Sequence, residues 1–510
     1  MWRRFWSAET GVFLGIWLTL MLVGRSMLFR DPGTFWHTVV GQKMLTSGEI
    51  IRADPFSFTM AGKPWVAHQW LAECGMAAVH RLAGWDGLLL LTVTLLAGTY
   101  TWVASRMLRA GFHLLLVGVV LALVLLASSH QFHVRPLVLS ITLLAATFCW
   151  LVDVEAGRRG LTRLWWFVPV AMLWANLHGG VLAGIGTVGL AALGWCLAWA
   201  TGRQSPVRNR RDVLMLLAIL VLSGLAVLVN PYGTALPRAW LITLTIPLPD
   251  LIQEHGRLDL TGPLGWTTLL LGLAYLVALL GVLPKQPRIS WLLPLVWFIF
   301  AMQRVRDVPL FAVTAAIATA DMLPHSRLAA WLNRRELYLP PPDGEARTCH
   351  WRAALLPVVL VGAALVLQAT GVSMPLLGRG CAQFDRTRWP MELLPELQQL
   401  NTDGPEKTPI FNDLNFGGFL IYHAPRLRVF VDDRCALYGG EFLQAYDRAR
   451  RKDPAQLDRW QQQHHFRYAL VETDTPFDRH LQDAAHWSVV RRTPIATLYR
   501  RDLGLPPSID

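Results

Sequence analysis

The side chains best suited to chemistry in this chain are carboxylates, imidazoles and guanidiniums gathered in a few short stretches. The richest runs from Arg30-Asp31-Pro32-Gly33-Thr34-Phe35-Trp36-His37, through Arg52-Ala53-Asp54-Pro55, to Trp65-Val66-Ala67-His68-Gln69-Trp70. A carboxylate partly withdrawn from water holds a proton more readily, which suits Asp31 to proton abstraction. Asp-Pro-Gly-Thr is also a good helix cap, and capping is the commoner job of such a sequence. Asp54, ahead of Pro55, suits a turn, with base chemistry as its second reading. His37, His68 and Glu73 could act as metal ligands and so leave a divalent metal open, but their spacing matches no compact metal motif.

Further stretches repeat the theme. His130, Gln131, His133, Arg135 and Pro136 form one; Asn176, His178, Gly179 and Gly180 a second; Asn230-Pro231-Tyr232-Gly233 opens a third, which continues to Asp250, Glu254, His255, Arg257 and Asp259; Gln303, Arg304, Arg306 and Asp307 form the last. Arginine at the edge of hydrocarbon is costly unless paired, and guanidinium binds phosphate oxygens through two parallel hydrogen bonds. Arg135, Arg304 and Arg306 are therefore candidates for binding a lipid phosphate, against the plainer alternatives of snorkelling or an Arg306–Asp307 pair. His133, Asn176, His178 and Glu254, with His37, His68 and Trp70, are candidates to line the same pocket.

The elements that must position these groups are membrane helices. Runs at 12–29, 86–105, 112–129, 134–152, 181–201, 213–230, 264–283 and 353–370 are nearly free of charge, and each can cross ~30 Å of hydrocarbon. Runs at 165–177, 290–302 and 308–323 are shorter; the first two reach only about 20 Å, so that their ends must sit in protein or a wet cavity. About eleven spans result. Arg3, Arg4, Arg106, Arg109, Arg158, Arg159, Arg163, Arg203, Arg208, Arg210, Arg211, Lys285, Arg288, Arg327, Arg334 and Arg335 then share one face, which the positive-inside rule makes cytoplasmic, with the N-terminus inside and the C-terminus outside. The net charge of +12 is largely this topological signal and does not point to nucleic acid. The absence of an A-x-A site after the first apolar run favours an uncleaved helix over a signal peptide.

The expected organisation is a mainly α polytopic bundle over residues 1–372, with a large first outer loop at 30–85. A linker at 324–352 contains Pro340, Pro341 and Pro342. A soluble extracytoplasmic α/β domain follows at 373–510. Within the loop, 66–82 reads as an amphipathic helix lying along the membrane surface, anchored by Trp65 and Trp70. Within the tail, strands are expected at 418–422, 427–431, 467–471 and 495–499, and a polar helix at 441–464. Asp432-Asp433-Arg434, at the end of the second strand, could bind a ligand or form a turn or helix cap. Cys349 is expected on the cytoplasmic side. Cys381 and Cys435 share the outer region, where a disulfide is chemically permitted but nothing in the sequence fixes their distance.

A multi-span domain with an acidic residue in a large first outer loop resembles the GT-C superfamily of integral membrane glycosyltransferases. Residues 31–70, Trp174-Ala175-Asn176-Leu177-His178-Gly179-Gly180, Asn230-Pro231-Tyr232-Gly233 and Asn412 to Tyr438 together resemble a bacterial branch of it over nearly the full length. His68-Gln69-Trp70 stands where that branch often shows His-Glu-Trp, and Glu254-His255 where it often shows an acid followed by Trp. The resemblance implies a bacterial inner-membrane enzyme that moves a sugar from a polyprenyl-phosphate donor to a glycan, lipid or protein acceptor on the non-cytoplasmic face. It implies Asp31 as the base toward the acceptor, with Asp54 as the second candidate. A single displacement predicts inversion at the anomeric carbon. A lipid-glycan transporter or a catalytically silent assembly protein is the alternative, since short spans and intramembrane polar groups occur in transporters too.

Overall fold

A computed structural model of the chain describes residues 6–247, 253–339, 354–371 and 380–502. Arg3, Arg4, Asp250, Cys349 and the run Pro340 to Pro342 lie outside the described residues. The elements in chain order are α1 (Ala8–Thr19), α2 (Gly33–Ser47), α3 (Trp70–Arg109), α4 (Leu114–Ser128), α5 (Leu137–Glu155), α6 (Phe167–Leu177), α7 (Val181–Ala200), α8 (Arg210–Ala226), α9 (Ala235–Thr245), α10 (Pro263–Leu280), α11 (Ile289–Gln303), α12 (Val308–Met322), α13 (Arg327–Asn333), α14 (Leu355–Ala369), α15 (Leu394–Asp403), β1 (Thr408–Asn412), α16 (Gly417–His423), β2 (Leu427–Val429), α17 (Cys435–Arg451), α18 (Gln456–His464), β3 (Tyr468–Glu472), α19 (Pro476–Asp483), β4 (Trp487–Arg492) and β5 (Ala496–Arg501). They form two compact units: Met1–Arg25 with Leu82–Gly233 and Gln253–Ala382, and Ser26–Arg81 with Thr234–Ile252 and Gln383–Asp510.

The first unit is a bundle of apolar helices. Each of the eleven apolar runs contains a helix. Among the described residues, Trp70–Arg109, Leu114–Gln131, Leu137–Glu155, Val181–Ala200, Pro263–Leu280 and Val305–His325 are long and apolar enough to cross a membrane. Leu214, Leu217, Val221 and Leu225 of α8, like Leu270, Leu273, Val277 and Leu280 of α10, are exposed. At helical spacing they make apolar stripes that water would disfavour and lipid would cover. α3 is interrupted at Ala83 (φ −144°) and Gly84 (φ 59°); a positive φ is conformation that glycine adopts without a Cβ clash. The helix expected at 66–82 and the span expected from 86 are thus two helices, divided at Ala83 and Gly84.

One end of this bundle is a closed ionic network. Asp153, near the end of α5, pairs with Arg106 at 2.6 Å and with Arg158 at 2.9 Å. Asp321, near the end of α12, pairs with Arg158 at 2.6 Å and Arg288 at 2.5 Å and accepts a hydrogen bond from Trp291 Nε1 at 2.9 Å. Both oxygens of Glu155 accept the backbone amides that open α11, from Ile289 and Ser290. Arginines from three of the predicted basic linkers therefore do meet at one end.

In the second unit a five-stranded sheet has the order β2-β1-β3-β5-β4. β1 pairs in parallel with β2 and β3, and β5 pairs antiparallel with β3 and β4. The expected strand at 418–422 is instead α16. A short apolar run suits either state, and the glycines at its start decide it. A Cβ on Gly417 would meet Val431 O at 2.4 Å, and one on Gly418 would meet Pro32 O at 2.1 Å, so the segment packs end-on in a space that admits a glycine helix start. The expected helix at 441–464 is two helices, α17 and α18, and two strands beyond the expectation, β1 and β4, complete the sheet. The first loop is built into this unit. Phe58 N donates to Val429 O and Val429 N to Phe56 O, both at 3.1 Å, which covers the free edge of β2. Phe35 packs among Phe384, Trp389 and Phe419 at centroid distances of 5.0–5.7 Å.

Candidate functional site

At the end of the bundle opposite the ionic network, three loops meet. The turn after α4 is pinned by His130 Nε2 to Val305 O at 3.0 Å. Val305 N donates to Gly256 O at 3.0 Å, and Leu258 N to Met302 O at 3.3 Å. These backbone ties bring Arg135 to within 3.3 Å of Glu254 and Arg306 Nη1 to within 3.1 Å of His255 Nε2. A guanidinium only donates, so His255 Nε2 is an acceptor and the ring is neutral. Burial first, then the charges of Arg306, Arg304 and Arg135, push the His255 imidazole down to about 4, with Glu254 acting the other way. Arg306 thus contacts the neutral imidazole, and Arg135 and Arg304 are near enough for their charges to act on it. Two buried polar atoms of the same turn, Gln131 Nε2 and His133 Nδ1, have no hydrogen-bond partner among the described residues.

Asn176 and His178 are placed as pins. Asn176 Nδ2 donates to Met172 O at 2.8 Å and Val229 O at 2.9 Å, tying the ends of α6 and α8. His178 Nδ1 accepts from Gly180 N at 2.9 Å and lies 2.8 Å from Ser140 Oγ, which itself accepts from Trp174 Nε1 at 2.7 Å. Gly180 leaves room for this, since a Cβ there would sit 2.3 Å from Ser140 Oγ. The Trp174 to Gly180 motif is thus a turn that fastens α6 and α7 to α5.

In the second unit Asp31 is 7% exposed, and its Oδ1 accepts from Gly33 N at 2.7 Å. This is the capping contact that the sequence favours, made at the first residue of α2. The residues on either side are held firmly. Arg30 pairs with Asp385 at 2.7 Å, Trp389 Nε1 donates to Phe29 O at 2.8 Å, and Trp36 Nε1 donates to Asp433 Oδ1 at 2.7 Å.

Asp54 has a different setting. Its carboxylate accepts from Phe56 N, Ser57 N, Ser57 Oγ and Arg434 Nη1. Arg434 also makes a two-pronged contact with Asp432, through Nε at 2.8 Å and Nη2 at 2.7 Å, and Tyr438 OH donates to Asp432 at 3.0 Å. The guanidinium lies between the rings of Phe56 and Trp65, at 5.1 and 4.7 Å. Burial opposes its charge, but Asp432, Tyr438 and Asp54 more than offset this and raise its pKa. Asp432 and Arg434, read from sequence as a ligand site or a turn, serve here to bind the tail to the first loop.

His37 Nδ1 and Glu73 Oε1 form a fully buried pair at 2.8 Å, and the His68 ring lies 3.3 Å from Gln69 Nε2. Trp70 opens α3. Among the described residues no three His, Cys, Asp or Glu side chains come together in a way that could hold a metal. Cys381 and Cys435 are free thiols. The sequence places Asp433 in a ligand site, turn or cap and gives His255 no role. Their partners, Trp36 and Arg306, are far away in the chain, and only pairwise covariation could have revealed them.

No protein-family model matches the chain, and no curated protein sequence matches it. Its fold does match solved structures. The apo oligosaccharyltransferase of Archaeoglobus fulgidus aligns over 91% of this chain and 69% of its own length, at a TM-score of 0.54 and 10% identity. The arabinofuranosyltransferase AftD from Mycobacteria aligns over 97% of this chain and 39% of its own, at a TM-score of 0.51 and 15% identity.

Proposed function

We propose that this chain, which has the fold of the GT-C membrane glycosyltransferases, transfers a sugar from a polyprenyl-phosphate-linked donor to an acceptor on the non-cytoplasmic face of a bacterial inner membrane. The observation that carries this reading is the gathering of Arg135, Arg304 and Arg306 around the neutral His255. Three cations at one end of an apolar bundle, with unsatisfied polar atoms on Gln131 and His133 beside them, suit a phosphate brought there by a lipid. The opposite end holds the basic linkers, so the positive-inside rule turns the arginine cluster outward and makes eleven crossings with the C-terminus outside the consistent topology. The soluble tail, residues 373–510, is then extracytoplasmic.

In the reaction the acceptor hydroxyl oxygen forms a bond to the anomeric carbon as its proton passes to the Asp31 carboxylate. The bond from that carbon to the phosphate oxygen breaks, and the phosphate leaves with the electron pair. Arg135, Arg304 and Arg306 stabilise the charge that develops on it. One displacement inverts the anomeric configuration. Asp31 is the better base of the two carboxylates the sequence nominates, because both Asp54 oxygens are already committed to amides, a hydroxyl and Arg434. His37, His68 and Trp70 stay with Asp31 as lining residues, and His133, Asn176, His178 and Glu254 with the arginines. A divalent metal has no proposed step.

Asp31→Asn separates the base from the cap. Asparagine caps as well as aspartate and can still accept the Gly33 amide, so the fold should be retained with a melting temperature within about 2 °C, a change of under ~1 kcal/mol. Transfer should fall by about 10²–10⁴. Full transfer by folded Asp31→Asn protein, measured with polyprenyl-phosphate hexose and pentose donors, would leave Asp31 as a cap alone.

A further inference from the structure

The Gly417-Gly418 pair packs against both the turn that carries Asp433 and the start of α2. A Cβ on Gly417 would meet Asp432 Cβ at 2.5 Å, and one on Gly418 would meet Pro32 O at 2.1 Å and Trp36 Cδ1 at 3.3 Å. Asp432 is spent on Arg434 and Tyr438. Its neighbour Asp433 instead accepts the Trp36 indole N–H at 2.7 Å. Trp36 is 4% exposed, and a buried indole N–H needs an acceptor. A carboxylate is the strongest neutral-donor acceptor available and a directional one. Trp36 lies on the first turn and a half of α2, the helix whose first amide is held by Asp31.

We infer that Asp433 is a positioning residue for Asp31, acting through the Trp36 indole, so that the C-terminal domain sets the geometry of the base. The inference rests on the reading of Asp31 as base. The hydrogen bond fixes the rotation of α2 about its axis, the contact of Gly418 with Pro32 fixes its depth, and the Arg30–Asp385 and Trp389–Phe29 contacts fix the chain that enters it. Helix rotation moves the Asp31 carboxylate without unfolding anything, and a base displaced by about 1 Å can lose on the order of 10²-fold in rate.

The test uses the full-length protein in detergent, with polyprenyl-phosphate hexose and pentose donors as probes and Asp31→Asn as reference. Trp36→Phe keeps the ring and loses the donor; Asp433→Ala loses the acceptor; Asp433→Asn keeps an acceptor oxygen. Expected are a kcat lower by about 10–100-fold in Trp36→Phe and Asp433→Ala with donor KM within about twofold, a double variant no worse than either single one, and Asp433→Asn within about threefold of wild type. Amide exchange over residues 31–40 should speed up in Trp36→Phe and Asp433→Ala but not in Asp433→Asn. Wild-type kcat and exchange in Trp36→Phe and Asp433→Ala, beside an inactive Asp31→Asn, overturns the inference and spares the base. An active Asp31→Asn removes the base reading itself. Should Asp433→Ala fail to fold, Trp36→Phe against Asp433→Asn decides: equal losses in both overturn the inference.

Discussion

Removing the Arg434 side chain should cost the second unit more than any other single truncation on its surface-remote network. Arg434→Met leaves the carboxylates of Asp54 and Asp432, both wholly buried, facing each other without a cation. Breaking a buried ion pair by removing one partner costs about 3–5 kcal/mol, because the remaining charge stays buried and uncompensated. The rings of Phe56 and Trp65 lose a cation as well, worth roughly another 1–2 kcal/mol, which the methionine side chain partly replaces by contact. In a unit of roughly 200 residues each kcal/mol moves the midpoint by about 2–4 °C, so the second unit should melt about 6–20 °C lower. Scanning fluorimetry of the purified protein gives the midpoint, and hydrogen exchange over residues 52–65 and 430–438 localises the loss. Asp54→Asn with Asp432→Asn in the Arg434→Met background should restore most of it, since replacing a whole buried ionic group is far cheaper than halving it. A midpoint shift below about 2 °C, or unchanged exchange in both segments, would refute the claim that this triad joins the first loop to the tail.

Two further outcomes follow from the same unit. Gly41→Ala places a Cβ 1.9 Å from the Glu73 carbonyl oxygen, a backbone atom that cannot turn aside. It should cost about 1–3 kcal/mol or more, whereas Gly75→Ala, with nothing within 4 Å of its Cβ, should be neutral or stabilising by up to about 1 kcal/mol; thermal midpoints of the two variants check the contrast. For Asp413, burial and then the charge of Glu472 push the carboxyl up to about 6 despite Arg450, Tyr446 and the Glu472 amide. The folded state then holds more protons than the unfolded one between pH 4 and 6, so this group favours the fold increasingly as pH falls through that window. The midpoint of wild type minus that of Asp413→Asn should therefore grow from pH 7.5 to pH 4.5, and a difference that shrinks or stays flat contradicts it.

Much of the bundle was legible because a membrane helix announces itself by continuous apolar length, and every such run here contains a helix. The tail was legible only in part. Gly418-Phe419-Leu420-Ile421-Tyr422 has the composition of a strand but the surroundings of a helix, and those surroundings are the backbone of Pro32 and Val431, far away in the chain. β1 carries Pro409, which argues against a strand, yet its sheet tolerates it beside two parallel neighbours. The site residues divide along the same line. Asp31 as a cap and the arginines as a group could be read from residue type and place. That Asp54 would be consumed by Arg434, that Trp36 would find Asp433, and that Arg306 would find His255 depends on contacts with no local signature. Alternation, capping and charge counting are local, and none of them carries that information.

The two ends of the bundle also bear on whether this chain works as an enzyme or as a carrier. α5 has 19 residues and so spans about 28 Å, close to the hydrocarbon thickness. At its start, Arg135 pairs with the half-buried Glu254 at 3.3 Å, and Arg306 faces a neutral imidazole. At its end, Asp153 and Asp321 are saturated by Arg106, Arg158, Arg288 and Trp291 at 2.5–2.9 Å. A carrier must offer a charged headgroup a place to bind from each side in turn. Here an incoming phosphate would have to break a mutually paired network at one end, at a cost of several kcal/mol per uncovered carboxylate, while at the other it meets Arg135, Arg304 and Arg306 beside Glu254, His255 and Asp307. The asymmetry is in keeping with the proposed transfer on one face and against passage between two.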